Sequence, residues 1–230
     1  MGLRETVSAL LFDFDGTIVD SSSLWREVTG ASFAAHGFVL DDELLDRVLH
    51  SPWETVLPAL SESDALAIEA RMVDSIREAY LECPPAPGLK PLLDRFASLP
   101  KAIVTSSYRE QLVVPYLRRH GLEGRFDVVI GSEDCARLKP DPEAIRLALE
   151  RLEVGRSGVW MIGDSAADVE AARAAGIRSV VVGSPATGAD LVADSLHAVA
   201  SLLGAAAEEE DRPPRRRSAD GGMPVAGESG

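Results

Sequence analysis

An open α/β sheet of parallel strands, interrupted after its first strand by a block of helices, is the fold this sequence predicts. Three observations carry that reading. Short apolar runs recur at residues 7–12, 102–105, 128–130, 159–162 and 179–182, each bounded by turn residues, as strands buried on both faces require. Helical stretches at 109–120, 142–152 and 167–175 alternate with the later runs, and Gly121 and Gly176 follow two of them, where a left-handed C-terminal cap favours glycine. Between the first two runs, residues 21–87 read as helix throughout. Such alternation implies a doubly wound, Rossmann-like parallel sheet with ligands bound beyond the carboxyl ends of its strands.

The helical block divides into stretches at 24–36, 42–49, 53–60 and 63–81. In the last, Ile68, Met72, Ile76 and Tyr80 recur every four residues and form one apolar stripe. Cys83-Pro84-Pro85-Ala86-Pro87-Gly88 then makes a stiff connector. Because the block interrupts the sheet directly after its first strand, residues 21–87 are expected to form a helical cap of their own. Residues 1–20 and 88–204 are left as the Rossmann-like catalytic core. From 205 to 230 the chain passes through an acidic run, three consecutive arginines and a Gly/Ala/Ser-rich end. That composition buries too little apolar surface to offset ordering entropy, so a disordered tail is expected.

With 230 residues, 46% of them apolar and 26% charged, the composition is that of a globular protein. No run approaches the ~18 apolar residues of a membrane span. A formal net charge of −14 argues against nucleic acid or an anionic membrane as partner. It also means that any anion bound here must be neutralised locally. Cys83 and Cys135 lack metal-ligand spacing and form no disulfide framework, so a reducing cytoplasm is the expected compartment. A monomer is the default, with a dimer left open.

Four elements with chemical potential stand at or just beyond strand ends. The first is Phe12-Asp13-Phe14-Asp15-Gly16-Thr17, in which Asp13 and Asp15, two apart, face one side while Gly16 allows a sharp turn. Paired carboxylates need a compensating cation or proton, or divide into nucleophile and acid/base. The second is Thr105-Ser106-Ser107, whose hydroxyl and following N–H groups suit a phosphate oxygen, although alone they read equally as a helix N-cap. The third is Leu138-Lys139-Pro140-Asp141-Pro142, which tethers one lysine near the strand ends. The fourth is Gly163-Asp164-Ser165-Ala166-Ala167-Asp168, with hard oxygen ligands of the kind Mg²⁺ takes, or plain helix-dipole partners.

In order, these elements resemble the haloacid dehalogenase superfamily, whose motifs are DxDGT, a strand-end Ser/Thr, a Lys and GDxxxD. The resemblance spans residues 7–203, and the inserted helices look like the cap of its phosphoglycolate phosphatase and β-phosphoglucomutase subgroup. It implies a Mg²⁺-dependent phosphatase acting on a small phosphorylated metabolite. Asp13 would form an aspartyl-phosphate and Asp15 would serve as general acid and base. Mg²⁺ would sit on Asp13, the Asp15 main-chain carbonyl and Asp164. Thr105, Ser106 and Lys139 would hold the phosphoryl group, with Asp168 orienting Lys139 or a metal-bound water. Trp25, His50 and Trp53 are candidates for substrate selection from the cap, although aromatic residues at helical spacing more often pack in a core.

A phosphomutase shares every core motif. The mutases of this subgroup, however, carry a His in the first cap helix, a basic cap loop and an acidic residue at the fourth motif; here Trp25, Pro52-Trp53 and Gly163 occupy those places. A dehalogenase would not need Asp15. A nucleotide or pyrophosphate hydrolase differs only in the cap and stays open. The rival of another class is a receiver-like phosphorylation switch, which lacks both the second acid and the insertion.

Overall fold

A computed structural model describes residues 6–51, 53–183 and 188–208, without the side chains of Ser22, His50, Glu54, Glu78 and 204–208. Its strands are β1 (Ala9–Phe12), β2 (Lys101–Val104), β3 (Val128–Ile130), β4 (Val159–Gly163), β5 (Arg178–Val182) and β6 (Leu191–Ala193). They form one parallel sheet in the order β3-β2-β1-β4-β5-β6. The doubly wound sheet is therefore present. From β1 the chain builds outward through β2 and β3, then crosses back to lay β4 on the other side of β1. That reversal opens a crevice at the carboxyl ends of β1 and β4, where such sheets bind ligands.

The helices are α1 (Ser22–Ala35), α2 (Asp42–His50), α3 (Trp53–Val56), α4 (Glu62–Glu82), α5 (Leu89–Arg95), α6 (Val114–Arg119), α7 (Glu143–Arg151), α8 (Ala166–Ala175) and α9 (Leu196–Glu208). Several begin on side-chain caps: Asp41 accepts from Leu44 N, Ser61 from Asp64 N and Ser165 from Asp168 N. Among the described residues, no helix is long and apolar enough to cross a membrane. Cys83 and Cys135 are both free.

Alternation along the strands sorts the sheet into two faces. Ala9, Leu11, Ala102, Val104, Val159 and Met161 pack with α7 and α8. Leu10, Phe12, Ile103, Trp160 and Ile162 pack with α5, α6 and α9. The second cluster runs on without a break into the inserted helices, through Phe14, Ile18, Phe33, Ile68, Ile76 and Tyr80. Entry and exit of the insertion lie side by side: Val19 bridges Pro85, and Ala86 N donates to Ile18 O at 2.8 Å.

Several boundaries differ from the sequence reading, each for a local reason. The helix expected over 53–60 ends at Val56, since the residue before Pro58 is driven out of the helical region. The stretch 109–120 splits into a π turn, Arg109–Val113, and α6, because Pro115 has no N–H to donate. Strand β6 is only three residues long, with Val192 exposed, and left no readable alternation. Helices α5 and α9 were not anticipated; α9 runs through Glu208, and the remainder of the expected tail lies outside the described residues.

Strand β2 begins one residue before the expected 102, and Lys101 is buried within it. Its Nζ donates to the carbonyls of Phe96 at 2.8 Å, Ala97 at 3.3 Å and Leu99, closing the C-terminal end of α5. Lys101→Met keeps the apolar stem but strands those carbonyls. It should cost about 1–3 kcal/mol in urea unfolding with the m-value unchanged; a change within about 0.5 kcal/mol would show the carbonyls are satisfied by water instead.

Candidate active site

Register places the sequence motifs at one level. Phe12 pairs with Ile103 on one side and Ile162 on the other. Asp13 N donates to Ile162 O at 2.8 Å, and Thr105 N donates to Ile130 O at 3.0 Å, so the backbone is held one residue beyond the strands. Asp13, Thr105 and Asp164 thus emerge together over the crevice beside β1.

Lys139 enters from the loop before α7 and makes three bonds. Its ammonium donates to Asp13 Oδ1, to Asp168 Oδ1 at 2.6 Å and to Val104 O at 3.1 Å. All three charged side chains are buried. Asp168 is pinned a second time, accepting at Oδ2 from Ser165 Oγ at 2.6 Å and Ser165 N at 3.1 Å. Two glycines make this crowding possible. A Cβ on Gly163 would stand 2.4 Å from the Asp168 carboxyl group, and one on Gly16 (φ +77°) would stand 2.0 Å from Asp164 Oδ2. An acidic side chain at position 163 would have no room here.

Carboxylate atoms of Asp13, Asp164 and Asp168 lie within 4.8 Å of one another. Burial pushes the Asp13 carboxyl up, the ammonium of Lys139 pulls it back, and the carboxylates of Asp168 and Asp15 raise it again; the net shift is well upward. Burial and then Asp168 lift Asp164 to about 6, against the pull of Lys139. Lys139 is held above the ordinary lysine range: burial opposes its charge, but Asp13 and Asp168 outweigh it. One ammonium among these carboxylates leaves the cluster short of positive charge, and a hard divalent cation would supply it.

Asp15 stands apart from this cluster and faces the insertion. Its Oδ1 accepts from Ser21 Oγ at 2.6 Å, from Trp25 Nε1 at 2.6 Å and from the Tyr80 hydroxyl. Its Oδ2 accepts from Ser107 Oγ at 2.7 Å. The loop carrying Ser107 is braced on both flanks. Thr105 Oγ1 accepts from Ser107 N at 3.0 Å, the Tyr108 hydroxyl donates to Glu69 of α4, and Arg109 Nη1 donates to Asp134 at 2.8 Å. Ser106 is exposed between them.

The structure therefore brings together Asp13, Asp15, Thr105, Lys139, Asp164 and Asp168, with Ser106 on the same loop. Trp25 reaches the site through its indole N–H. Trp53 does not: its Nε1 donates to Val48 O at 3.1 Å and its ring packs edge-on to Phe33 at 5.0 Å, so it serves the interior of the insertion. The side chain of His50 lies outside the described residues. Sequence reasoning passed over Ser21, Tyr80 and Ser107. Tyr80 was legible only as the last rung of an apolar stripe; the signal it also gave was a hydroxyl that a buried tyrosine must satisfy.

A family model for haloacid dehalogenase-like hydrolases matches residues 10–182. The chain belongs to that family, and within it this is an enzyme of the phosphatase type. It is 33% identical to a plasmid-borne phosphoglycolate phosphatase of Cupriavidus necator, over 85% of this chain and 93% of that one. It is 31% identical to a phosphorylated carbohydrates phosphatase of Thermotoga maritima, over 76% and 84% respectively. A β-phosphoglucomutase of Clostridium difficile shares the fold, with a TM-score of 0.75 at 22% identity over 89% of this chain and 98% of that one. Membership in this family sets the receiver-like reading aside.

The raised Asp164 carboxyl carries a signed consequence for stability. A carboxyl whose folded value exceeds its unfolded one costs nothing in acid and costs progressively more as pH rises from about 4 toward 6. Without added metal, Asp164→Asn should match wild type in melting temperature near pH 4 and exceed it at pH 7. A difference independent of pH would contradict the assignment.

Proposed function

We propose that this enzyme is a Mg²⁺-dependent phosphatase that hydrolyses a small-molecule phosphomonoester through an aspartyl-phosphate on Asp13. The observation that carries the reading is the meeting, over the β1–β4 crevice, of a buried carboxylate, a lysine and two further carboxylates, with a separately held acid two residues away. The residues fit a magnesium ion. Asp13 and Asp164 with the main-chain carbonyl of Asp15 would hold it, since Asp168 is already committed to Lys139 and Ser165. When bound, Mg²⁺ would offset carboxylate charge and draw electron density from the phosphoryl oxygens.

The protein's own residues account for the rest. The Asp13 carboxylate forms a bond to phosphorus as the ester P–O bond breaks, and a proton from Asp15 passes to the departing alkoxide. Asp15, now an anion, removes a proton from water; the water oxygen bonds to phosphorus, and the aspartyl bond breaks to release phosphate. Lys139 would turn part of its charge from Asp13 to the phosphoryl oxygens, while Thr105, Ser106 and their loop N–H groups take the remainder. The inserted helices would act as a cap that excludes bulk water from this exchange.

The two curated relatives named above divide between an acid phosphate and phosphorylated sugars, and a small phosphorylated metabolite covers both. Net charge of −14 supports an enzyme with no nucleic-acid or anionic-membrane partner, two free cysteines suit a reducing cytoplasm, and a monomer is the default with a dimer left open. Phosphate release from a panel of small phosphomonoesters should require Mg²⁺ and should fall by about 10³-fold or more in Asp13→Asn. Turnover that survives in the mutant would overturn the nucleophile assignment, and turnover unaffected by chelation would overturn the metal.

A further inference from the structure

The two oxygens of Asp15 are held by different parts of the chain. Three donors converge on Oδ1: Ser21 just before α1, Trp25 in the first turns of α1 and Tyr80 in the last turn of α4. Among the described residues, Ser107, on the loop after β2, is the one that donates to Oδ2. The chemistry of the donors decides what each oxygen can do. An indole N–H donates and never accepts, so the atom it binds must offer a lone pair. With Trp25 on Oδ1 and two hydroxyls beside it, a proton on that oxygen would leave one of its three donors without an acceptor, so protonation there is disfavoured. A hydroxyl such as that of Ser107 donates or accepts by turning, so it remains bonded to Oδ2 whether or not Oδ2 carries a proton.

We propose that Trp25, Tyr80 and Ser21 are positioning residues that commit Asp15 Oδ1 and thereby make Oδ2, beside Ser107, the oxygen that exchanges the proton with the leaving alcohol. This rests on the acid/base role given to Asp15 above and adds to it which atom works and which residues choose it. In the first half-reaction the Oδ2–H proton moves to the ester oxygen as its bond to phosphorus breaks and the Asp13–phosphorus bond forms. In the second, a water proton returns to Oδ2 as the water oxygen bonds to phosphorus and the Asp13 bond breaks. Throughout, Oδ1 keeps its three donors, and the carboxyl group does not rotate away from the leaving oxygen. The anchoring donors come from both ends of the insertion, so two helices packed above the site, rather than the sheet, set the direction of proton transfer.

The test exploits the leaving group. An alkyl phosphate needs a proton on its departing oxygen, whereas p-nitrophenyl phosphate releases a stable phenolate without one. Wild type, Asp15→Asn, Trp25→Phe and Tyr80→Phe are compared, each with saturating Mg²⁺, for kcat on a sugar monophosphate and on p-nitrophenyl phosphate. Thermal melting confirms that each variant folds. Asp15→Asn defines the ratio of alkyl to aryl turnover without the acid, expected to drop by about 10²–10⁴-fold. Trp25→Phe and Tyr80→Phe should lower that ratio by about tenfold or more, as a share of the same effect. If Asp15→Asn shifts the ratio while both aromatic variants leave it at the wild-type value, the positioning role is wrong and the acid/base role stands. If Asp15→Asn itself slows both esters equally, the acid/base role fails and this inference with it.

Discussion

Three carboxylates and one lysine meet at the carboxyl ends of two adjacent strands, and the architecture around them answers the cost of that crowding. Burying like charges together is unfavourable unless each is paired or balanced. Lys139 answers part of the cost by bridging Asp13 and Asp168, which is why its loop is drawn in from the surface to a buried position. Ser165 answers another part by holding the far oxygen of Asp168. Glycines at 16 and 163 provide the space. What remains unbalanced shows as the upward push on Asp13 and Asp164. A site left electron-rich in this way suits a divalent ion and the phosphoryl group it would accompany.

Asp15 solves its own charge differently, with four uncharged donors instead of a cation. Three of them belong to the insertion, and that makes the helices part of the chemistry. The same region is tied down by aromatic packing: Phe14, between the two aspartates, meets Tyr116 edge-on at 5.2 Å and Tyr80 at 5.8 Å. Tyr80 therefore packs on one side and donates on the other. Helix α4 carries Glu69 as well, the acceptor for Tyr108, so one helix touches both the acid and the loop expected to grip phosphate.

Sequence alone revealed the sheet and the charged cluster because both depend on short-range signals. Buried parallel strands demand uninterrupted apolar runs, and strand-end chemistry demands Asp13, Asp15, Lys139, Asp164 and Asp168 in a fixed order along the chain. The donors around Asp15 carried no signal for that role, although Trp25 was a candidate for substrate selection. Ser21, Trp25, Tyr80 and Ser107 come from four places up to 86 positions apart, and only the folded chain joins them. Trp53 misled for the complementary reason: an aromatic near the start of the insertion reads the same whether it packs on Phe33 or faces a substrate. Lys101 fell one residue outside the expected strand, and no local pattern showed that three carbonyls near the end of α5 would hold a buried ammonium there.

In the proposed mechanism Asp13 bonds covalently to phosphorus during turnover. Enzyme quenched in acid within milliseconds of mixing with substrate and Mg²⁺, then digested and weighed peptide by peptide, tests it most directly. A covalent intermediate requires a transient gain of one phosphoryl group on the peptide containing Asp13, absent at zero time and lost as substrate is consumed. Rapid turnover with that peptide unmodified at every quench time, in conditions where a marker acyl phosphate survives, would mean that water attacks phosphorus directly and that Asp13 serves only to hold the metal.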